Sequence, residues 1–197
     1  GKISPMNSST DSRTKVMQVA MQLAQTRGFN AFSYRDLAHE VGIKTSSIHY
    51  HFPTKDDLGV ALMQEYTAAM MATMAEIQAS QVSHIEQFRA FVSVFDSTAA
   101  TGDQLCLAGM FGSAVETLTP ELKAEVLRFF SVVEDWLTVF LQAGRDAQAF
   151  AFANEPKELA AMILAALEGS LMTARLFGGP QRLQQSAAML EVLLVAQ

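Results

Sequence analysis

The chain has little with which to cross-link, kink or coordinate. A single cysteine, Cys106, excludes an intramolecular disulfide and suits a reducing compartment, so a cytoplasmic location is expected. Only five prolines interrupt 197 residues, which leaves room for long helices. There is no Asn-Gly hairpin signal and no sustained alternation of Val, Ile and Thr, so strands are not expected. The first residues lack the basic-then-apolar layout of a secretory signal. The longest apolar run, 159–167, stops at Glu168 and is too short to cross a bilayer, so no membrane partner is expected. No Gly-rich loop is present to cradle phosphate. His49 and His51 stand two apart and point to different faces of a helix, while His39 and His84 are scattered. No catalytic residue, metal or cofactor is expected, and the chain does not read as an enzyme.

What remains is helix-forming material. Half of the residues are hydrophobic, only 17% are charged, and Ala, Leu, Met, Gln and Glu dominate most segments. The fold class is therefore all-α, with about nine helices. Residues 1–11 read as a flexible tail, with 1–5, ahead of Met6, as a cloning remnant. A small head follows over 12–58, and a larger helical body over 59–197. Charge divides the same way. Residues 1–59 hold seven Lys and Arg against five acids, while the remainder holds seven against fifteen. Only the head suits a polyanion.

The head carries the sharpest pattern. Val16, Ala20, Leu23 and Ala24 form one apolar stripe over 12–27, closed by Gly28. Ser33, with Asp36 three residues on, has the form of a capping box opening a second helix of about two turns. Tyr34, Leu37, Ala38 and Val41 make its apolar face. A third short helix spans 45–52, and Thr54 with Asp57 caps a fourth that reaches about residue 78. Ala38, Gly42 and Ile48 have the spacing of a helix-turn-helix. Ala38 is small where two helices cross, Gly42 tolerates positive φ in the turn, and Ile48 packs back into the core. The exposed remainder of the third helix is Lys44, Thr45, Ser46, Ser47, His49, Tyr50 and His51. These side chains reach phosphates and base edges in a major groove. Lys55 opens the next helix, where backbone N–H groups already favour an anion. A helical hairpin with an ordinary polar surface is the plainer alternative.

Residues 14–62 resemble the DNA-binding half of the TetR/AcrR family of bacterial transcriptional regulators. The resemblance rests on Arg27-Gly28-Phe29, Asp36-Leu37-Ala38, Val41-Gly42 and the run SSIHYHFPTKDDL over 46–58. The family usually has Tyr where this chain has His49, which alters contacts at one position. The resemblance implies a homodimer on a palindromic stretch of double-stranded operator DNA, usually as a repressor. By it, Tyr50 and Lys55 would grip phosphates, Ser33 and Arg35 would brace the backbone, and Thr45, Ser46 and His51 would face bases. Beyond about residue 59 it covers only length and helical layout.

A symmetric operator needs a symmetric reader. The helix over 158–177 is apolar on almost every side, and the final helix is apolar too. Leu164, Leu167, Gly169, Leu171, Met172, Leu190 and Leu194 are therefore candidates for a dimer interface, with a monomer core as the alternative. The family also implies a ligand cavity. Met70, Met74, Cys106, Met110, Phe111, Phe129, Phe130, Trp136 and Phe140 are candidate lining residues for a small apolar or reactive effector, although such stripes equally build plain core. Cys106 is a candidate sensor of electrophiles or a small core residue. Two other classes stay open: a ligand-binding helical protein without DNA binding, and a helical enzyme with an acquired head.

Overall fold

The computed structural model describes residues 8–195. Among them lie nine α-helices, two short 3-10 turns and no strand. The helices are α1 (Ser8–Arg27), α2 (Tyr34–Val41), α3 (Thr45–His51), α4 (Lys55–Ala79), α5 (His84–Ala100), α6 (Leu107–Gly112), α7 (Pro120–Asp146), α8 (Pro156–Phe177) and α9 (Gln181–Val195). The helix over 8–11 corrects the reading of 1–11 as a tail. Asp11 sits in the first turn of α1, where the helix dipole favours an acid, and it pairs with Lys15 at 2.9 Å. The reading of residues 1–5 lies outside the described residues.

The head closes on one small core. Val16, Ala20, Leu23 and Ala24 of α1 are buried with Leu37 and Ala38 of α2 and Ile48 of α3. Ser33 caps α2 by accepting from the Asp36 N–H, and Asp36 accepts in return from the Ser33 N–H. The same reciprocal box, built from Thr54 and Asp57, opens α4. Between α2 and α3, Gly42 adopts φ 76° and ψ 34°. Its N–H and that of Ile43 both donate to the Ala38 carbonyl, which ends α2 and turns the chain sharply.

α4 runs from the head into the body without a break. Leu58 and Leu62 are fully buried near its start, and Met63, Met70, Met74 and Ile77 are buried further along. It packs on α1 early and on α7 over most of its length. Pro120 and Pro156 stand in the first turns of α7 and α8, where a missing N–H costs nothing. α5, α7, α8 and α9 pack on one another to form the body.

α8 departs from the expectation drawn from its apolar run. At 22 residues it is long and apolar enough to cross a bilayer by length and composition, because only Glu168 interrupts its middle. Here it packs on α5, α7 and α9, and 44% of its most apolar stretch is buried. Its remaining apolar face is exposed.

Gly42 offers a clean test of the turn. A Cβ there meets nothing within 4 Å, so only backbone strain opposes a side chain. Gly42→Ala should therefore destabilise the fold by about 1–2 kcal/mol. Urea unfolding reads this directly, and an unchanged midpoint would contradict the left-handed turn.

Candidate functional site

The third helix presents its polar face by burying one residue and anchoring its ends. Ile48 is fully buried, so Thr45, Ser46, His49 and Tyr50 turn outward, with Lys44 exposed at the N-cap and Ser47 half-buried. Tyr50 is 79% exposed, extreme for so large a ring. Behind the helix, the buried Tyr34 hydroxyl donates to the carbonyls of Phe52 and Thr54, clamping the end of α3 to α2. Burial pushes the Tyr34 phenol well above its usual range, and the nearby Asp57 and Asp56 add to this. It stays a donor at any pH of interest. Arg35 is exposed on α2. Ser33 is exposed too, but its hydroxyl is engaged with Asp36. Those hydrogen bonds hold the Asp36 carboxyl below its ordinary range.

Two histidines are more constrained than their surface position implies. The His49 ring stands edge-on to Tyr34 at 4.8 Å, with Nδ1 3.2 Å from the Pro53 carbonyl. It therefore braces the α3–α4 turn. His51 Nε2 lies 2.9 Å from the Ser12 hydroxyl of α1.

Lys55 requires a correction. Its ammonium does not project toward a phosphate; it turns inward and donates to the carbonyls of Phe29 and Phe32, over the faces of both rings. Burial lowers its pKa, while Asp36 and Asp56 oppose that shift. The physical reason is the turn over 28–33: the Gly28 and Ser33 carbonyls accept from backbone N–H groups, whereas those of Phe29 and Phe32 lie within reach of this ammonium.

The body holds a cavity of about 320 Å³ between α6, α7 and α8. Its lining is mostly apolar, including Leu105, Phe130, Leu164 and Met172, with the carboxylates of Glu134 and Glu168. Of the nine residues expected to line a ligand site, Cys106 and Phe130 line this cavity. Trp136 and Phe140 border a separate groove beside His84, and Met110 and Phe111 another beside Gly28. Met70, Met74 and Phe129 are buried core. Glu134 and Glu168 were not found from sequence: Glu168 reads only as the end of an apolar run, and Glu134 stands beside Asp135 as an ordinary acidic pair on a helix.

Short polar contacts tie this cavity to the head. The Leu105 N–H donates to the Gln25 carbonyl of α1 at 3.0 Å, and the Gln25 amide donates back to the Leu105 carbonyl at 3.1 Å. Arg175 of α8 donates to the Thr26 carbonyl at 2.6 Å. The Tyr66 phenol of α4, the Cys106 thiol and the Glu168 carboxyl lie close enough to influence one another's ionisation.

Comparison with known proteins matches this arrangement at both ends. Residues 16–62 fit the family described as bacterial regulatory proteins, tetR family, and residues 84–190 fit the tetracyclin repressor-like C-terminal domain. The chain belongs to the TetR family. A TetR transcriptional regulator from Legionella pneumophila is 30% identical, with a TM-score of 0.86 over 98% of this chain and all of that one. A TetR-family regulator from Agrobacterium tumefaciens is 27% identical, with a TM-score of 0.90 over 95% of this chain and all of its own. The nucleoid occlusion factor SlmA of Vibrio campbellii is 24% identical over 82% of this chain and 83% of its own length. Relatives of this kind are regulators and not enzymes, and TetR-family regulators are typically ligand-responsive repressors that bind DNA as dimers.

Within this TetR-family chain, the dimer candidates also divide. Leu164, Leu167, Leu171, Leu190 and Leu194 are at most 4% exposed, so they pack inside the protomer. Met172 and Gly169 face outward. The exposed apolar side chains of α8 and α9 are instead Met162, Met172, Leu176, Phe177, Met189, Val192, Leu193 and Val195. Cys106, at the N-cap of α6, is 3% exposed, and burial raises its thiol pKa far above the ordinary value. That holds it in the unreactive S–H form near neutrality.

The inward turn of Lys55 has a measurable consequence. Lys55→Ala leaves the Phe29 and Phe32 carbonyls without their charged donor, at a cost of about 1–3 kcal/mol. The variant should lower the urea midpoint of the free protein. Unchanged stability with weakened DNA binding would restore Lys55 to the phosphate-gripping role.

Proposed function

We propose that this protein is a homodimeric, ligand-responsive repressor that reads a palindromic operator through α3 and acts in the cytoplasm. The observation that carries the reading is the outward face of α3, where Thr45, Ser46 and Tyr50 stand clear of a helix rigidly clamped by Tyr34 and Ile48. Thr45 and Ser46 lie in its first turn, the part of a recognition helix that meets base edges. Tyr50, Lys44, Ser47, Arg35 and Ser33 serve the phosphates. His49 and His51 set the helix against α4 and α1, a role different from direct base contact.

The dimer forms through the exposed apolar faces of α8 and α9. A two-fold axis there gives two copies of α3 in opposite orientation, as a palindrome demands. Exposed apolar side chains concentrated on two adjacent helices support this, since monomers seldom display such patches.

Release follows from the cavity. A bound effector displaces the 105–106 wall, and the paired hydrogen bonds between Leu105 and Gln25 carry the shift to α1. Tyr66 carries it to α4. Met63, Met70 and Met74 of α4 are packed core and line no part of that cavity. Cys106 serves as a packed link in that wall, and its suppressed thiolate disfavours a role as the reactive centre.

Enrichment from a random duplex pool tests the reading. The native protein should select a two-fold symmetric sequence, with binding that weakens steeply as salt rises. Thr45→Ala or Ser46→Ala should relax preference at one base pair per half-site, by about 1–3 kcal/mol. Met172→Arg, placed on the exposed face, should yield a folded monomer that no longer retains the palindrome. Failure of the native protein to enrich any sequence would refute the proposal.

A further inference from the structure

The cavity beside Cys106 contains an uncompensated carboxyl. Glu168 rises from the middle of α8, and its Oε1 is buried without a hydrogen-bond partner. Buried polar atoms are normally partnered, so an orphaned carboxylate oxygen on a residue that lines a cavity requires an explanation. The Cys106 thiol engages this carboxyl, but it is a weak donor and supplies no charge.

The surroundings sharpen the point. The lining brings in a second carboxylate, Glu134 of α7, and includes no Lys, Arg or His. Burial raises the Glu168 pKa, and no cation acts on it in compensation. Opposite it stands Gly109 of α6. A Cβ at that position would fall 2.8 Å from Glu168 Oε2, so the absence of a side chain at Gly109 makes room for the carboxyl. The rest of the wall is apolar, with Leu105, Phe130, Leu164, Leu171 and Met172.

We infer that this cavity takes an amphipathic organic cation, a protonated amine on an apolar body, with Glu168 as its counter-ion. The inference rests on the reading of the body as the ligand-binding half. The ammonium N–H donates to the Oε1 that lacks a partner, and the apolar body fills the space against Phe130 and Leu164. Glu134 adds a second negative charge to the same cavity. An anion of the same shape would meet two carboxylates and no donor cation, and an alcohol would offer one neutral hydrogen bond.

Three probes with one skeleton separate these cases: phenylbutylamine, phenylbutanol and phenylbutanoate. They are titrated calorimetrically into the full-length protein without DNA. The amine should bind about tenfold or more tightly than the alcohol, and the carboxylate most weakly. Glu168→Gln should remove the preference for the amine by weakening the amine far more than the alcohol, and an unchanged far-ultraviolet circular dichroism spectrum shows that the variant is folded. Glu134→Gln should reduce the preference only in part. Equal binding of amine and alcohol, or a preference that survives Glu168→Gln, would overturn the cation assignment and leave ligand binding by the body standing. No binding by any probe at millimolar concentration would overturn both.

Discussion

One helix belongs to two cores, and the rest of the molecule is arranged around that fact. α4 begins among the head residues, where Leu58 and Leu62 are fully buried, and ends deep in the body with Met74 and Ile77. No break separates head from body, because α4 is continuous over Lys55–Ala79. Gly59 lies against both Leu122 of α7 and Phe29 of the head, so the two halves meet on the surface of this one helix. The buried side chains accordingly form one cluster that runs from Val16 to Leu194. A shift in the body that moves α4 must move the α1–α2 turn, since Lys55 holds that turn by two of its carbonyls.

The head is tightened by polar groups rather than by bulk. Its second and third helices are short, and a helix of two turns has little stability of its own. Two reciprocal capping boxes, the Tyr34 clamp and the inward Lys55 satisfy backbone groups that such short helices leave open. The result is a rigid frame in which α3 keeps its short hydroxyls outward.

Much of the head was legible in the sequence because its constraints are local. Ala38, Gly42 and Ile48 mark a crossing, a turn and a core contact, and each depends only on neighbours within one motif. The boxes at Ser33 and Thr54 are legible for the same reason, as are Pro120 and Pro156 at helix starts. The inward contacts of Lys55 were not legible because its partners, the Phe29 and Phe32 carbonyls, lie more than twenty residues away and carry no mark in the sequence. The body was legible only as helices. α8 is apolar on two faces, and periodicity cannot tell which face packs within the protomer, so Leu171 and Met172 were grouped together. The cavity escaped for a related reason. Large aromatic side chains such as Phe129 fill space, whereas a cavity arises where helices leave it, and Glu168 is notable only once Gly109 is seen beside it.

The central claim is that head and body are one cooperative unit joined through α4. Trp136, the sole tryptophan, stacks between Phe91 and Phe140 in the body and so reports that half alone. The direct measurement is urea unfolding at fixed protein concentration, followed by Trp136 fluorescence and by far-ultraviolet circular dichroism. It is made on the native protein and on Leu37→Ala, a cavity in the head that should cost about 2–5 kcal/mol. The account predicts coincident transitions for both signals, and an equal downward shift of both in the variant. A two-step loss of helix, in which Leu37→Ala moves the first step and leaves the Trp136 transition where it was, would contradict it.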